Sequence, residues 1–298
     1  MIVRFASVSL VALLSVSAFA VGGCASSTPS TASDSTAIGS SEAALSTDND
    51  STQESEDGAE QAEDGLSGAS ASDPGTPAQG TTTDDIDAKI KSNPGVFFQP
   101  AGCIVSTRVS AGVWNHVFTN CTGPAGKRTY NGTIQSRWTV SPGELQVIHT
   151  ATNFVVEGPN NTATVSGART VTYTNASNVI TKKRVGTWTG TVEHNATSVS
   201  EAWTHNANFT STWDPSTKCY TRDGEVDNTL GNRAFGRTVS GYKACGSIFA
   251  CPESGQLVLD RKDDTVKITI TFLGDGNYDI EGAKARKVER KLVLCVAG

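Results

Sequence analysis

Between Ala25 and Ala88 the chain has no lysine, no arginine and no aromatic residue. That absence excludes a basic nucleic-acid-binding arm there, and it leaves little with which to build a core. Methionine occurs once, at Met1, so no Met-rich adaptable surface is present. No Cys-x-x-Cys pair occurs, which removes the commonest zinc spacing. Gly-x-Ser-x-Gly, His-Glu-x-x-His, the P-loop and the dinucleotide fingerprint are all missing. Beyond the first 23 residues no apolar run approaches the ~20 needed to cross a bilayer.

What is present starts with the leader. Arg4 follows Met1, and Phe5 to Val21 is apolar apart from Ser7, Ser9, Ser15 and Ser17. That is the length of a secretory h-region. Two cleavage readings compete. Ala18-Phe19-Ala20 fits an ordinary signal peptidase. Val21-Gly22-Gly23-Cys24 resembles the lipobox of bacterial lipoproteins, in which the leader is removed before a cysteine that then carries lipid. The resemblance covers the leader and those four residues. It implies a signal peptide over 1–23, a lipid such as palmitate on Cys24, and a cell-envelope location held by the anchor. Ala25 in place of Asp implies the outer membrane. Cysteine parity agrees: of seven cysteines, removing Cys24 leaves six to pair.

Charge divides the remainder. Residues 25–88 carry 14 acids and no bases, while 89–298 carry 16 acids and 23 bases. The acidic part, rich in Ser, Thr, Gly and Ala, is expected to be a disordered tether over 24–82, because it cannot bury enough apolar surface to offset its ordering entropy. The alternative is that it folds back on the basic domain as a competitor for an acidic ligand. A short helix signal follows in 83–95. Thr83 is a plausible N-cap, Asp84, Asp85 and Asp87 suit the first turn, and Asn93-Pro94-Gly95 stops the helix. Ile86 and Ile90 share a face, which predicts docking on the domain over about 84–92.

From residue 96 to 298 the period is two. Tyr130, Ile134, Trp138 and Val140 alternate with polar residues. So do Val165, Val171 and Tyr173, then Trp188 and Val192, then Trp203 and Phe209, then Ile268, Ile270 and Phe272. Turn signals recur at Ala111-Gly112, Ser141-Pro142-Gly143, Gly158 to Asn161, Asn175 to Asn178, Gly231-Asn232 and Asp275-Gly276. The fold class is all-β: an antiparallel meander of about 11–14 strands curled into an open barrel or a sandwich, with a short N-terminal helix. Cys103 and Cys121 lie symmetrically about Gly112, and Cys219 and Cys245 about Asn232. Disulfides Cys103–Cys121, Cys219–Cys245 and, by remainder, Cys251–Cys295 are expected in an oxidising compartment. Cys103, Cys121 and the following Thr122-Gly123-Pro124 look like those of Thr-rich envelope lipoproteins, a resemblance that brings no activity with it.

Candidate chemistry is sparse. His149, Arg169, Glu201, Trp203 and His205 fall on apolar phases of their strands, so in a barrel they converge on a possible ligand pocket. The competing reading is that the strands bend or end there and these groups meet water. Trp114, Trp138, Trp188, Trp203 and Trp213 read as core. The Thr columns at Thr170–Thr174 and Thr187–Thr191 read as strand surface rather than an ice-binding array. Asp275 to Glu281 reads as a hairpin turn rather than a calcium loop, since Ile280 and Arg286 stand where the loop needs Gly and Glu. Basic residues at Lys182-Lys183-Arg184 and at Lys284, Arg286, Lys287, Arg290 and Lys291 read as solvated faces, with anionic lipid or polysaccharide as the partner they would suit.

The function expected is that of a lipid-anchored envelope protein, a non-catalytic binding or structural module. No catalytic residue, metal or cofactor is expected, and nucleic acid is excluded as a partner. One alternative is a carrier or sensor of a small amphiphile in the curved sheet. A more distant one is a carbohydrate-active enzyme using Glu193 and Glu201, which sit on opposite phases of a continuous strand.

Overall fold

The structure is a computed structural model that describes residues 40–66, 82–92, 98–123, 126, 128–246, 251–262, 266–282 and 287–291. The leader, the proposed lipid site Cys24 and Cys295 lie outside the described residues, as do Lys284 and Arg286. Among the described residues no helix is long and apolar enough to cross a membrane.

One antiparallel sheet of 13 strands accounts for the domain, in strict sequence order and open between its first and last strands. Its first half is β1 (Ile104–Ser110), β2 (Val113–Thr122), β3 (Thr129–Ser141), β4 (Glu144–Glu157), β5 (Asn161–Ala176) and β6 (Val179–His194). The second half is β7 (Val199–Asp214), β8 (Cys219–Leu230), β9 (Arg233–Cys245), β10 (Pro252–Arg261), β11 (Lys267–Gly274), β12 (Asn277–Glu281) and β13 (Lys287–Lys291). Each turn foreseen from sequence closes a hairpin. At β5–β6, Ser177 and Asn178 both have positive φ, 52° and 66°, as a two-residue turn of matching twist requires. Asp275 and Gly276 do the same between β11 and β12, at 52° and 79°, which accounts for that acidic stretch.

The sheet curls because its inner face alternates bulk with gaps. Across one row, Ile134, Ala151, Gly167, Trp188, His205, Asn228 and Phe235 stand side by side. Gly167 has φ +136°, and a side chain there would run into the Thr187 carbonyl. Such a glycine lets the strand bend toward its neighbour. The result is a concave face lined by alternate residues of every long strand, with a polar face outside.

The inner face encloses a helix, and this corrects the sequence reading. The segment expected as disordered tether contains α1 (Ser40–Leu66), 27 residues with no basic residue in its last turn. A helix polar all round does not stand alone in water. The partners that hold it are far away in sequence, on the sheet, so local composition could not reveal it. Leu45, Ala59, Ala62 and Leu66 are buried in the same cluster as Phe98, Phe118, Tyr130, Phe154 and Trp188. Gly58 lies mid-helix, where glycine costs ~1 kcal/mol relative to alanine. Its reason is proximity: a side chain there would collide with Val156 Cγ1 and crowd Arg128.

A second helix, α2 (Thr83–Ser92), matches the short helix expected. Its cap is one residue earlier than read: Thr82 Oγ1 accepts from the Asp85 N–H at 3.3 Å, and Asp85 Oδ2 accepts from the Thr82 N–H at 2.7 Å. That reciprocal pair is a capping box. Ile86 and Ile90 pack on Trp114, Trp138, Leu145, Val147, Val171 and Tyr173. Asp87 fastens α2 to the β1–β2 turn, accepting from Trp114 Nε1 at 2.5 Å and from the Gly112 N–H at 3.2 Å.

Two disulfides lie wholly among the described residues, Cys103–Cys121 and Cys219–Cys245, the latter between directly paired residues. Cys251 is also disulfide-bonded. Its expected partner Cys295 is outside the described residues.

The crowding at Gly58 yields a test. Gly58→Ala raises helix propensity by ~1 kcal/mol, yet overpacking a filled site costs ~1–3 kcal/mol. A net loss of stability is expected in urea unfolding. A gain would mean that α1 does not lie against Val156.

Candidate functional site

The site is the interface between α1 and the inner face of the sheet. Of the eight carboxylates of α1 from Asp48 to Asp64, Asp48, Glu56, Glu60, Glu63 and Asp64 meet arginines from β5, β6, β8, β9 and β10. Strand alternation aims these arginines inward, in the phase that sequence reading assigned to apolar residues.

At the centre, Glu60 Oε2 lies 2.7 Å from Arg184 Nη1, and Glu60 Oε1 lies 3.1 Å from Arg169 Nη2. Arg222 Nη2 stands 3.8 Å from the same Oε1. Burial pushes the Glu60 carboxyl up, but Arg184, Arg222 and Arg169 together hold it well below its ordinary value. Arg169 is fully buried and lies over the Trp188 ring at 4.1 Å. Arg222 lies over Phe209 at 4.1 Å. These stacks place flat cations on flat aromatic faces, an arrangement suited to guanidinium and not to ammonium.

Further along, Glu56 Oε2 meets Arg237 Nη2 at 2.7 Å, and its Oε1 meets His205 Nδ1 at 3.0 Å. Asn228 Nδ2 donates to Glu56 Oε1 at 2.9 Å, and Trp203 Nε1 donates to Asn228 Oδ1 at 3.2 Å. Burial opposes charge on Glu56, and Arg237 and His205 outweigh it, so its pKa falls. Toward the helix C-terminus, Asp64 pairs with Lys182 and with Arg184, the latter at 3.0 Å.

The N-terminal half of α1 is held by a polar collar. Arg261 reaches Asp48 at 3.1 Å, and Asp48 holds Arg233 Nε at 3.0 Å. Arg233 grips Glu201 through two parallel bonds of 2.9 Å, the strong bidentate form. Glu201 Oε2 lies 3.2 Å from His194 Nε2, and His194 Nδ1 lies 2.8 Å from Asn161 Oδ1. Asn161 Nδ2 then donates back to Glu54 Oε2 at 3.0 Å. The collar begins and ends on α1.

Some carboxylates are not matched. Burial raises Asp50 to about 7, with only a hydrogen bond from Asn49 against it. Asp57 is also raised to about 7, by burial and then by Glu60, against weaker pulls from Arg237 and Arg128. Glu63 reaches about 7 by burial, although Arg169 and Arg184 stand 3.9 and 3.5 Å away.

The five residues expected to form a pocket lie on the inner face of the sheet. His149, Arg169, Trp203 and His205 are buried, and Glu201 sits in the collar. The reading that they meet water at bends is overturned for the four buried residues, and the solvated reading is overturned for Arg184, while Glu201 and Lys182 are half-buried. Lys183 alone of that triplet points outward. The space where a small amphiphile was expected holds α1. Trp114, Trp138, Trp188 and Trp203 are core, as read. Glu193 is exposed on the outer face and Glu201 faces inward, so the two carboxylates do not flank a cleft. Sequence reading missed Arg184, Arg222, Arg233, Arg237 and Arg261 as a set. The available signal was their phase: each shares the phase of the apolar residues of its strand.

Two serine–histidine contacts were also not foreseen. Ser106 Oγ lies 2.8 Å from His116 Nδ1, and Ser136 Oγ lies 2.9 Å from His149 Nδ1. Burial pushes His116 down to about 4 and His149 well below its usual value, so both imidazoles are neutral. Ser136 is fully buried. Ser106 opens on a depression of about 480 Å³ with Arg108, Trp114, Asp84 and Asp87. The far ring nitrogen of each histidine has no hydrogen-bond partner, so neither has the orienting group that a nucleophile–base pair relies on. They are core hydrogen bonds.

The fold and site together define an open, curled meander threaded by an acidic helix. No family model, no curated protein and no solved structure matches this chain.

Two tests follow from the charge pairing. Glu60→Gln leaves Arg184 and Arg169 buried without their main partner, and breaking a buried pair from one side costs ~3–5 kcal/mol. Urea unfolding should show a loss of that order; a change below ~1 kcal/mol would mean that the pairs are not buried in solution. The second test is pH. Asp50, Asp57 and Glu63 have folded values raised to about 7. The native state therefore holds more protons than the unfolded chain between ~4 and 7, and stability falls as pH rises through that window, then levels. Glu56 and Glu60 are depressed, so what they contribute is present above ~4.3 and lost below it. Stability should peak near pH 4–5. A midpoint that climbs from pH 5 to 7.5 would contradict this.

Proposed function

We propose that the protein is a lipid-anchored, non-catalytic binding module of the cell envelope, attached through Cys24, with the inner face of its sheet as the binding surface for an anionic partner. The observation that carries this reading is the row of arginines on that face. Replacing buried ion pairs by packed apolar residues is often neutral or stabilising by ~1–4 kcal/mol. A curled sheet meant only to be stable would fill its interior with leucine and valine. This one holds Arg169, Arg184 and Arg237 at 0%, 5% and 5% exposure, and each is aimed at a carboxylate. A cationic, aromatic-backed surface is recognition chemistry for carboxylate, sulfate or phosphate.

The anchor rests on Val21-Gly22-Gly23-Cys24 and on cysteine parity. Two disulfides and the bonded Cys251 fit an oxidising compartment. They support an exported protein, and the outer membrane is the proposed address.

Labelling cells that make the full chain with an alkyne analogue of palmitate tests the anchor. The wild type should take up label and sediment with membranes. Cys24→Ala should do neither while keeping its disulfides. Equal labelling of both would overturn the anchor at Cys24.

A further inference from the structure

We propose that the bore of the curled sheet is a binding site for a linear acidic polysaccharide, and that α1 is the chain's own stand-in for that ligand. This deepens the binding-module reading and rests on it.

The wall does not depend on α1 for its pairing. Among the described residues, no backbone–backbone hydrogen bond joins α1 to a strand. Side chains alone hold the helix, and the strands pair with one another in one continuous register. Withdrawing α1 would break no ladder bond. Its apolar share in the common core is small, with Leu45 and Leu66 the only large side chains it contributes.

The wall also offers more than α1 uses. Arg237 Nε and Nη1, Arg169 Nε and Arg222 Nε are buried with no acceptor, and so is Trp188 Nε1. Arg169 and Arg237 are 0% and 5% exposed. Buried donors are ordinarily satisfied, and here they stay unused while Asn49 Oδ1 and Asp57 Oδ2 of α1 also lack partners, so the helix does not place its oxygens where the wall's donors point. A helix brings a carboxylate to one side only every three or four residues. A uronic-acid polymer carries a carboxylate, hydroxyls and a ring oxygen on every sugar. It would supply acceptors along the whole wall. A bore that admits a helix ~10–12 Å wide has room for one polysaccharide strand.

An acidic helix from another molecule would share part of this chemistry but would repeat the mismatch in where its acceptors fall. That places it second to the polysaccharide and makes it an outcome of the test.

The test is hydrogen–deuterium exchange on the full-length protein, comparing residues 40–66 with β5–β9. Polygalacturonate is the probe. Polyphosphate, neutral dextran and a synthetic peptide of residues 40–66 are run beside it. Polygalacturonate should speed exchange in 40–66 at least tenfold while β5–β9 keep their protection. Asp64→Asn, which weakens the grip of Lys182 and Arg184 on the helix, should lower the polymer concentration needed at least threefold. Release by peptide or polyphosphate but not by polygalacturonate would overturn the polysaccharide and leave the binding module standing. Exchange that rises in helix and sheet together, an equal response to dextran, or no release by any probe would overturn α1 as a stand-in. None of these outcomes bears on acylation of Cys24.

Discussion

Everything in this structure depends on the match between the carboxylates of α1 and the guanidiniums of the inner face. Without the arginines the helix is an acidic, polar segment that would not form. Without the helix the arginines would be buried cations facing one another across a bore. Each makes the other tolerable. Because desolvation of either partner alone costs several kcal/mol, the match acts as an assembly check: sheet and helix become stable together. The collar from Arg261 through Asp48, Arg233, Glu201, His194 and Asn161 to Glu54 draws five strands around one end of α1. Few single groups in it could change without leaving a neighbour unpaired.

The pairing is good but not complete, and its imperfections are of one kind. Acids such as Asp57 take up protons instead of finding cations, while donors such as Arg237 Nε stay unused. Neither could be relieved by a rotamer change alone, because both stand in a filled interior. The inner face carries a charge pattern that α1 satisfies in outline. The contrast with the second core is instructive. Ile86 and Ile90 of α2 meet tryptophans, leucine and valines, and there apolar contact fills the interface, with buried Asp87 held by Trp114 Nε1 and Arg108.

Much of the fold was legible in the sequence because sheet signals are local. Alternation at Tyr130–Val140, and the hairpin turns at Asn175–Asn178 and Asp275-Gly276, concern neighbours within a few residues, and the two disulfides, 18 and 26 positions apart, each close a single hairpin. The short helix was legible for the same reason, apart from Thr82 taking the cap expected of Thr83. The acidic segment folding back on the basic domain was legible only as the alternative reading, and its helix α1 was not legible at all. Its charges looked like a reason for disorder because their partners lie 106 to 213 positions away, as in Glu54 with Asn160 and Asp48 with Arg261. The inward phase of Arg169, His149 and His205 was visible in advance. Its consequence was not, since an arginine at a buried position reads as a strand end until the opposing carboxylate is known.

The place of α1 in the chain has a mechanical consequence. It lies between Cys24 and the sheet, so with lipid on Cys24 the docked helix acts as a clasp on the leash. While it stays in the bore, residues 25–39 even at full extension, ~3.3–3.6 Å per residue, cannot let the helix stray more than ~55 Å from the bilayer. If the clasp opened, the leash would run to Thr83 and its limit would rise to ~200 Å. Occupancy of the bore would then set how far from its membrane the domain can search.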